Sequence, residues 1–514
     1  MPTTTKNLIS VINPCTEEKI AEYIPSSEKE IKEKVSAAKD AFIYWSSLEI
    51  EKRIQYVRKI YDLIIDRREE IAKAITKNTG KPLAEAYLTE IASTLQVAEY
   101  CIKNSTELLS KRNIALGKLY PTKKSFLSYE PYGVIAIIQP WNYPFYLPFS
   151  AIIKALVSGN CFVFKPSSTT SFVGELINKI LVDAKLPNGV ANIIYGDSES
   201  AKTLLSCNID KVVFTGSVNV GKKIAYDSME RLIPLSLELG GKDPAIVLKS
   251  CNLDYACGGI LWGALSNTGQ ACASIERVYV ESEVFDEFIE KFTFAVKELK
   301  VGDGDDDETD IGPLINEEQV KKIEAHINDA VLKGAKIHIG GKRLEKKGFF
   351  FEPTVLSNVD HTMEIMNEET FGPVIPIMRF STLEEAVILA NKTKYGLAAS
   401  IWTGDLEPAN NMAKNLNCGT VWVNDSLFLQ AHPACPWQGY KESGYGGSSI
   451  FDFVRTKHIS VDQGYIPFVR PKSYWWFPYK GKARSYFDLV EVLFRSGVKE
   501  KAKAVFNTFI DFLK

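Results

Sequence analysis

Gly133-Val-Ile-Ala-Ile-Ile138-Gln-Pro-Trp141-Asn142-Tyr-Pro144 is a short, unbroken apolar run that stops at turn residues, the pattern of a parallel strand buried on both faces. A second such run, Cys161-Phe-Val-Phe164, ends in Lys165-Pro-Ser-Ser168, and the spacing predicts a helix over Pro148 to Val157 between them. Asn192 to Tyr195 and Lys211 to Phe214 supply two more strands with helices between. Alternation of this kind predicts an α/β fold with a parallel sheet. Ligands in such sheets bind at the carboxyl ends of the strands, which is where Asn142, Lys165, Gly216 and Ser217 fall.

Upstream, from Glu28 to Asn78, apolar residues recur at helical spacing (Ile31, Val35, Ala38, Phe42, then Ile54, Val57, Ile60, Ile64). Ser27 followed by Glu30 reads as a capping box, and Pro82 to Leu109 continues helical. Between Lys118 and Tyr129 a polar stretch ends in Ser125-Phe-Leu-Ser-Tyr129, which alternates like a strand. At 514 residues the chain exceeds one hydrophobic core, so two or three domains are expected. A formal charge of −2 gives no reason to expect a nucleic-acid partner. No secretory leader or apolar run of spanning length is evident, and nine scattered cysteines fit a reducing compartment, so a cytoplasmic location is expected. No metal site is expected. The acidic loop Gly302 to Asp310 lacks the glycine and glutamate positions of a calcium loop and reads as solvated.

No G-x-G-x-x-G stands in the chain; Phe214-Thr-Gly216-Ser217-Val-Asn-Val-Gly221 offers a strand end and a helix start instead. Backbone N–H groups there suit a pyrophosphate, although a Gly-Ser turn is more often a plain helix cap. Further on, Asn267-Thr-Gly-Gln-Ala-Cys272-Ala-Ser-Ile-Glu-Arg277 presents one thiol among small residues. A free cysteine is commonly a small buried hydrophobe, and Cys272 is set apart by its context alone. Ser236-Leu-Glu238-Leu-Gly-Gly241-Lys lies upstream, with Glu238 and Cys272 34 residues apart. A carboxylate in so apolar a run is either paired or functional, because unpaired burial is expensive.

These two motifs resemble those of the aldehyde dehydrogenase superfamily. Asn367-Glu-Glu369-Thr-Phe371-Gly-Pro-Val, Tyr395-Gly-Leu-Ala-Ala-Ser and Pro436-Trp-Gln-Gly439-Tyr-Lys441-Glu-Ser443-Gly are similar to further signatures of it, in the family's order, over about Ile12 to Asp462. The resemblance implies a Rossmann-type dinucleotide-binding domain (1–115 and 131–240), an α/β catalytic domain (241–435) and a small β arm for oligomerisation (116–130 and 456–463), in a homodimer or homotetramer. It also implies the oxidation of an aldehyde to its acid. Cys272 would attack the carbonyl to form a thiohemiacetal, and the Asn142 amide with the Cys272 N–H would hold the oxyanion. Glu238 would activate the water that opens the thioester. Asn142 could equally cap the helix that follows it. For the cofactor, NAD or NADP, the resemblance assigns Lys165 to the adenine ribose, Glu369 to the nicotinamide ribose and Phe371 to the nicotinamide side, with Trp141 nearby. Ser168 stands where many NAD-preferring members carry a glutamate that repels a 2′-phosphate, so NADP is expected to be accepted as well as NAD.

Tyr143, Tyr146, Leu147, Phe149 and Ser150 follow Asn142, and helical spacing turns Tyr146, Phe149 and Ser150 to the side of Asn142 as candidate pocket residues. Such an aromatic stripe is more often core than pocket. From Gly464 the chain passes beyond the resemblance: Tyr474-Trp-Trp-Phe-Pro-Tyr479 precedes two helical patterns (Tyr486, Val490, Leu493, Phe494; Ala502, Val505, Phe506, Phe509, Leu513). Residues 461–514 hold ten Lys/Arg and five Asp/Glu. This 464–514 tail suits peripheral contact with a membrane surface, or it packs on its own subunit, or it covers the substrate mouth. An apolar, long-chain aldehyde is the expected substrate. Two other readings fit parts of the sequence: a CoA-acylating dehydrogenase, which would have no need of Glu238, and a cysteine hydrolase or structural protein without nicotinamide chemistry.

Overall fold

A computed structural model describes residues 8–117, 120, 123–427, 432–463, 477, 479–494 and 505–506. Most of the Tyr474–Tyr479 cluster, the Lys118 end of the polar stretch and the second tail helix therefore lie outside the described residues. Two compact units are formed, one from residues 1–108 and 131–454, the other from 109–130 and 455–514.

The first unit holds a six-stranded sheet in the order Gly444–Tyr445, Leu235–Glu238, Lys211–Thr215, Val134–Ile138, Cys161–Lys165, Ala191–Ile193, parallel except for the first. Its central strands are the apolar runs of the sequence, and every residue of Val134–Ile138 and Cys161–Lys165 is buried. The chain winds outward from Val134–Ile138 first to one side and then, from Lys211, to the other. A crevice opens at such a reversal, between the ends of Ile138 and Thr215.

The helix between the first two strands begins at Tyr146, two residues before the expected Pro148. Pro148 is tolerated because the first-turn N–H groups have no partner within the helix. Ser27 caps its helix by accepting from the Glu30 N–H, but Glu30 turns to Ser26 and Lys34 instead of closing the box. Helix Phe285–Lys297 ends before Val301, which bridges to Ile311.

A seven-stranded sheet follows in the same unit, ordered Lys336–Ile339, Thr354–Ser357, Val374–Phe380, Ile275–Glu281, Asp243–Val247, Ala398–Trp402, Thr420–Val423. Apolar layers cover both of its faces, with Tyr279 and Ile401 in one and Val278 and Trp402 in the other. The second unit contains a three-stranded sheet, Val454–Asp462, Lys123–Pro131 and Arg112–Ile114, and helix Ala483–Phe494. No helix among the described residues is long and apolar enough to cross a membrane.

Candidate active site

Cys272 lies between helix Leu253–Leu265 and strand Ile275–Glu281, in a loop fixed by its own polar residues. Asn267 and Thr268 adopt left-handed backbone with φ of 53° and 60°. A β-branched residue there is strained and needs surroundings that hold it. Thr268 Oγ1 donates to Gly312 O at 3.1 Å, Gln270 Nε2 donates to Asn267 O at 3.0 Å, and Gln270 Oε1 accepts from Ile315 N at 2.9 Å. Only a residue without Cβ fits at Gly241, where a methyl would sit 2.3 Å from the Cys272 carbonyl oxygen.

Three cavities meet at Cys272. The largest, about 450 Å³, has walls that include Leu88, Leu95, Tyr143, Tyr146, Leu147 and Trp262. A second, of about 70 Å³, is bordered by Cys272, Glu238, Ser150, Lys154, Ser236 and His432. A third, of about 210 Å³, runs from Cys272 past Trp141, Asn142, Gly216, Ser217, Glu369 and Phe371.

Glu238 closes strand Leu235–Glu238 and is buried, and neither carboxylate oxygen meets a hydrogen-bond partner among the described residues. Burial therefore pushes its pKa well above the usual carboxylate range; Asp452 adds to this and Lys154 opposes it. A cavity of this size admits a few waters, since each needs roughly 10–15 Å³ of such volume. Asn142 is buried in the turn after Ile138, with its Nδ2 donating to Gln270 O at 3.1 Å and its Oδ1 unpartnered.

The rings of Trp141 and Phe371 meet edge to face at 5.4 Å across the third cavity. Glu369 accepts from the Gly241 N–H at 3.1 Å, and its pKa is raised by burial to about 7. Gly216 and Ser217 occupy the turn before helix Val218–Met229. Gly221 lies inside that helix against Leu239 and does not line the cavity. Lys165 ends its strand beside Ile138, buried, with its pKa lowered by desolvation to about 8 and Nζ donating to Pro166 O at 3.3 Å. Ser168 opens the short helical turn that follows.

Of the proposed pocket residues, Tyr143, Tyr146 and Leu147 line the large cavity and Ser150 the Glu238 cavity. Phe149 is a correction: it is fully buried, 4.8 Å from the Phe145 ring, because this helix packs its next face into the core. The sequence reading also missed a buried ion pair, Lys242 Nζ to Glu276 Oε2 at 2.6 Å. Glu276 accepts from the Thr370 and Phe371 N–H groups at 2.7 Å each, while Gln319 Nε2 donates to both their carbonyls. Together they hold Phe371 at a φ of 57°. Its signal was present: Glu276 and Arg277 are charges inside an otherwise apolar strand.

The chain belongs to the aldehyde dehydrogenase family, whose model matches residues 1–459. It is 37% identical over 467 residues to a betaine aldehyde dehydrogenase of Bacillus subtilis, covering 88% of this chain and 93% of that one. It is 32% identical over 484 residues to a 4,4'-diapolycopene aldehyde oxidase of a Methylomonas species, covering 93% and 90%. A solved betaine aldehyde dehydrogenase of Staphylococcus aureus in complex with NAD+ superimposes with a TM-score of 0.85 at 33% identity, covering 93% of this chain and 94% of that one. The protein is thus an oxidoreductase that takes NAD or NADP. Its third cavity fits that cofactor: a Cβ on Gly240 would come within 2.5 Å of the Glu369 carboxylate, so the cradle depends on a bare backbone.

Proposed function

We propose that this enzyme oxidises an apolar, long-chain aldehyde to its carboxylate. The observation that carries the mechanism is the junction at Cys272, where one cavity suits the aldehyde, one the nicotinamide and one the hydrolytic water. In this reading Cys272 attacks the carbonyl, and Asn142 Nδ2 and the Cys272 N–H receive the negative oxygen of the thiohemiacetal. NAD(P)+, when bound, supplies the acceptor for the hydride that leaves this carbon. Glu238 then takes a proton from water as it attacks the thioester, and Cys272 departs. Gly216 and Ser217 would receive the pyrophosphate, with Gly221 in the first turn of the helix behind them, and Trp141, Glu369 and Phe371 would position the nicotinamide end. Lys165 and Ser168 would face the adenosine ribose, and the uncharged Ser168 would leave room for a 2′-phosphate.

Substrate class rests on the walls of the large cavity, where the described residues include no lysine or arginine to clamp a second carboxylate. The one charged residue among the described lining, Glu99, is paired with Lys103. The diapolycopene relative acts, by its name, on an apolar aldehyde. Residues 1–115 with 131–240 would bind the dinucleotide, 241–435 carry the chemistry, and 116–130 with 456–463 join subunits into a dimer or tetramer. The 464–514 tail would lie on an anionic membrane, where such a substrate partitions: Phe487, Val490 and Phe494 are exposed on helix Ala483–Phe494.

NAD(P)H absorbance with aldehydes from acetaldehyde to long fatty aldehydes, with and without CoA, tests the reaction. Efficiency rising with chain length and no need of CoA is expected; a CoA requirement, or preference for short charged aldehydes, defeats the reading. Removal of 464–514 is expected to release the protein from anionic liposomes.

A further inference from the structure

One lysine and two glutamates take no part in the chemistry above, yet they reach both loops that would hold the oxyanion. Lys81 and Glu90 form an ion pair at 2.7 Å with both side chains fully removed from solvent. Desolvation makes such a pair a poor source of stability in itself. Lys81 Nζ also donates to the Asn142 carbonyl at 3.1 Å and lies 3.9 Å from the Tyr143 ring centroid. Glu90 Oε2 accepts from the Phe145 and Tyr146 N–H groups at 3.0 and 2.8 Å, fixing the start of the helix that follows Asn142.

Glu85 serves the other loop. Its two oxygens accept the Asn267 N–H at 2.8 and 3.1 Å, at the residue where the backbone turns left-handed. Asn267 Nδ2 in turn donates to the Asn142 and Gln270 carbonyls, both at 3.0 Å. The contacts thus run from Glu85 through Asn267 and Asn142 to Lys81 and Glu90.

In an α-helix, residues five apart point about 140° away from each other. Here Ala86–Ala92 is π-helical, with hydrogen bonds from i to i+5 that bring such residues toward one side. The wide turn is what lets Glu85 and Glu90 serve neighbouring loops.

We infer that Lys81, Glu85 and Glu90 are positioning residues, gathered by the π-helical turn to fix the Asn142 and Asn267 backbones so that the Asn142 amide and the Cys272 loop meet one carbonyl oxygen. This rests on the oxyanion role proposed for Asn142.

The test measures kcat, aldehyde KM and cofactor Kd on the full-length enzyme carrying Glu85→Ala, Glu85→Gln or Asn142→Ala. Glu85→Ala is expected to lower kcat about 10- to 100-fold, as a misplaced reacting group does, with KM and cofactor Kd nearly unchanged. Glu85→Gln keeps an oxygen for the Asn267 N–H and is expected to restore most of the loss. Should Glu85→Ala not fold, Glu85→Ser, too short to reach Asn267, replaces it. If Asn142→Ala lowers kcat but the Glu85 variants do not, or if Gln is as impaired as Ala, or if the loss lies in KM or Kd alone, the positioning inference is overturned. An Asn142→Ala enzyme as active as the parent overturns the oxyanion reading itself, and this inference with it.

Discussion

Cys272 and Glu238 border the same small cavity, although they stand 34 residues apart in the chain. Glu238 ends a strand of the six-stranded sheet, and Cys272 leads into a strand of the seven-stranded one. The proposed nucleophile and water-activating base, so placed, can act in succession on one carbon.

Glu238→Gln is therefore expected to separate the two half-reactions. Rapid mixing with aldehyde and NAD(P)+ is expected to give a burst approaching one NAD(P)H per active site, followed by turnover slowed about 10²- to 10⁴-fold, the usual worth of a general base. Cys272→Ser is expected to give neither burst nor turnover.

Only ionised Glu238 can accept a proton, and burial raises its pKa well above the ordinary 4.5. Where thioester hydrolysis limits kcat, kcat is expected to climb with pH and level off above that raised value. Stability runs the other way. The folded protein retains a proton that the unfolded chain releases, so stability falls as pH rises from the ordinary carboxylate range through the raised pKa. Thermal unfolding is expected to show Glu238→Gln more stable than the parent at about pH 8, with the gap closing near about pH 4.

Replacing Ser168 by glutamate places a carboxylate where the proposed reading puts the adenosine ribose. The ratio of kcat/KM for NADP to that for NAD is expected to fall at least about tenfold, through charge repulsion of the 2′-phosphate. An unchanged ratio would remove Ser168 from the cofactor site.

Lys242 and Glu276 form a buried pair whose carboxylate also holds the Phe371 backbone. Lys242→Met leaves Glu276 charged and uncompensated, and denaturant unfolding is expected to show a loss of about 3–5 kcal/mol. The double variant Lys242→Met/Glu276→Gln is expected to recover part of that stability but not the cofactor affinity, because the Phe371 loop loses its charged anchor.

Sequence by itself determined the parallel strands, the family and the residues set at the strand ends, because buried strands are written as unbroken apolar runs and the motifs keep fixed order. The Glu238 and Cys272 motifs were legible for the same reason. Tertiary structure decided what meets what. Phe149 went to the core while its neighbours Tyr146 and Ser150 met the cavities, since one helix turn faces several surroundings at once. Lys81, Glu85 and Glu90 were invisible as a group because a π-helical turn breaks the periodicity by which a helix face is read, and hydrogen bonds across 182 residues, such as Glu85 to Asn267, leave no local pattern.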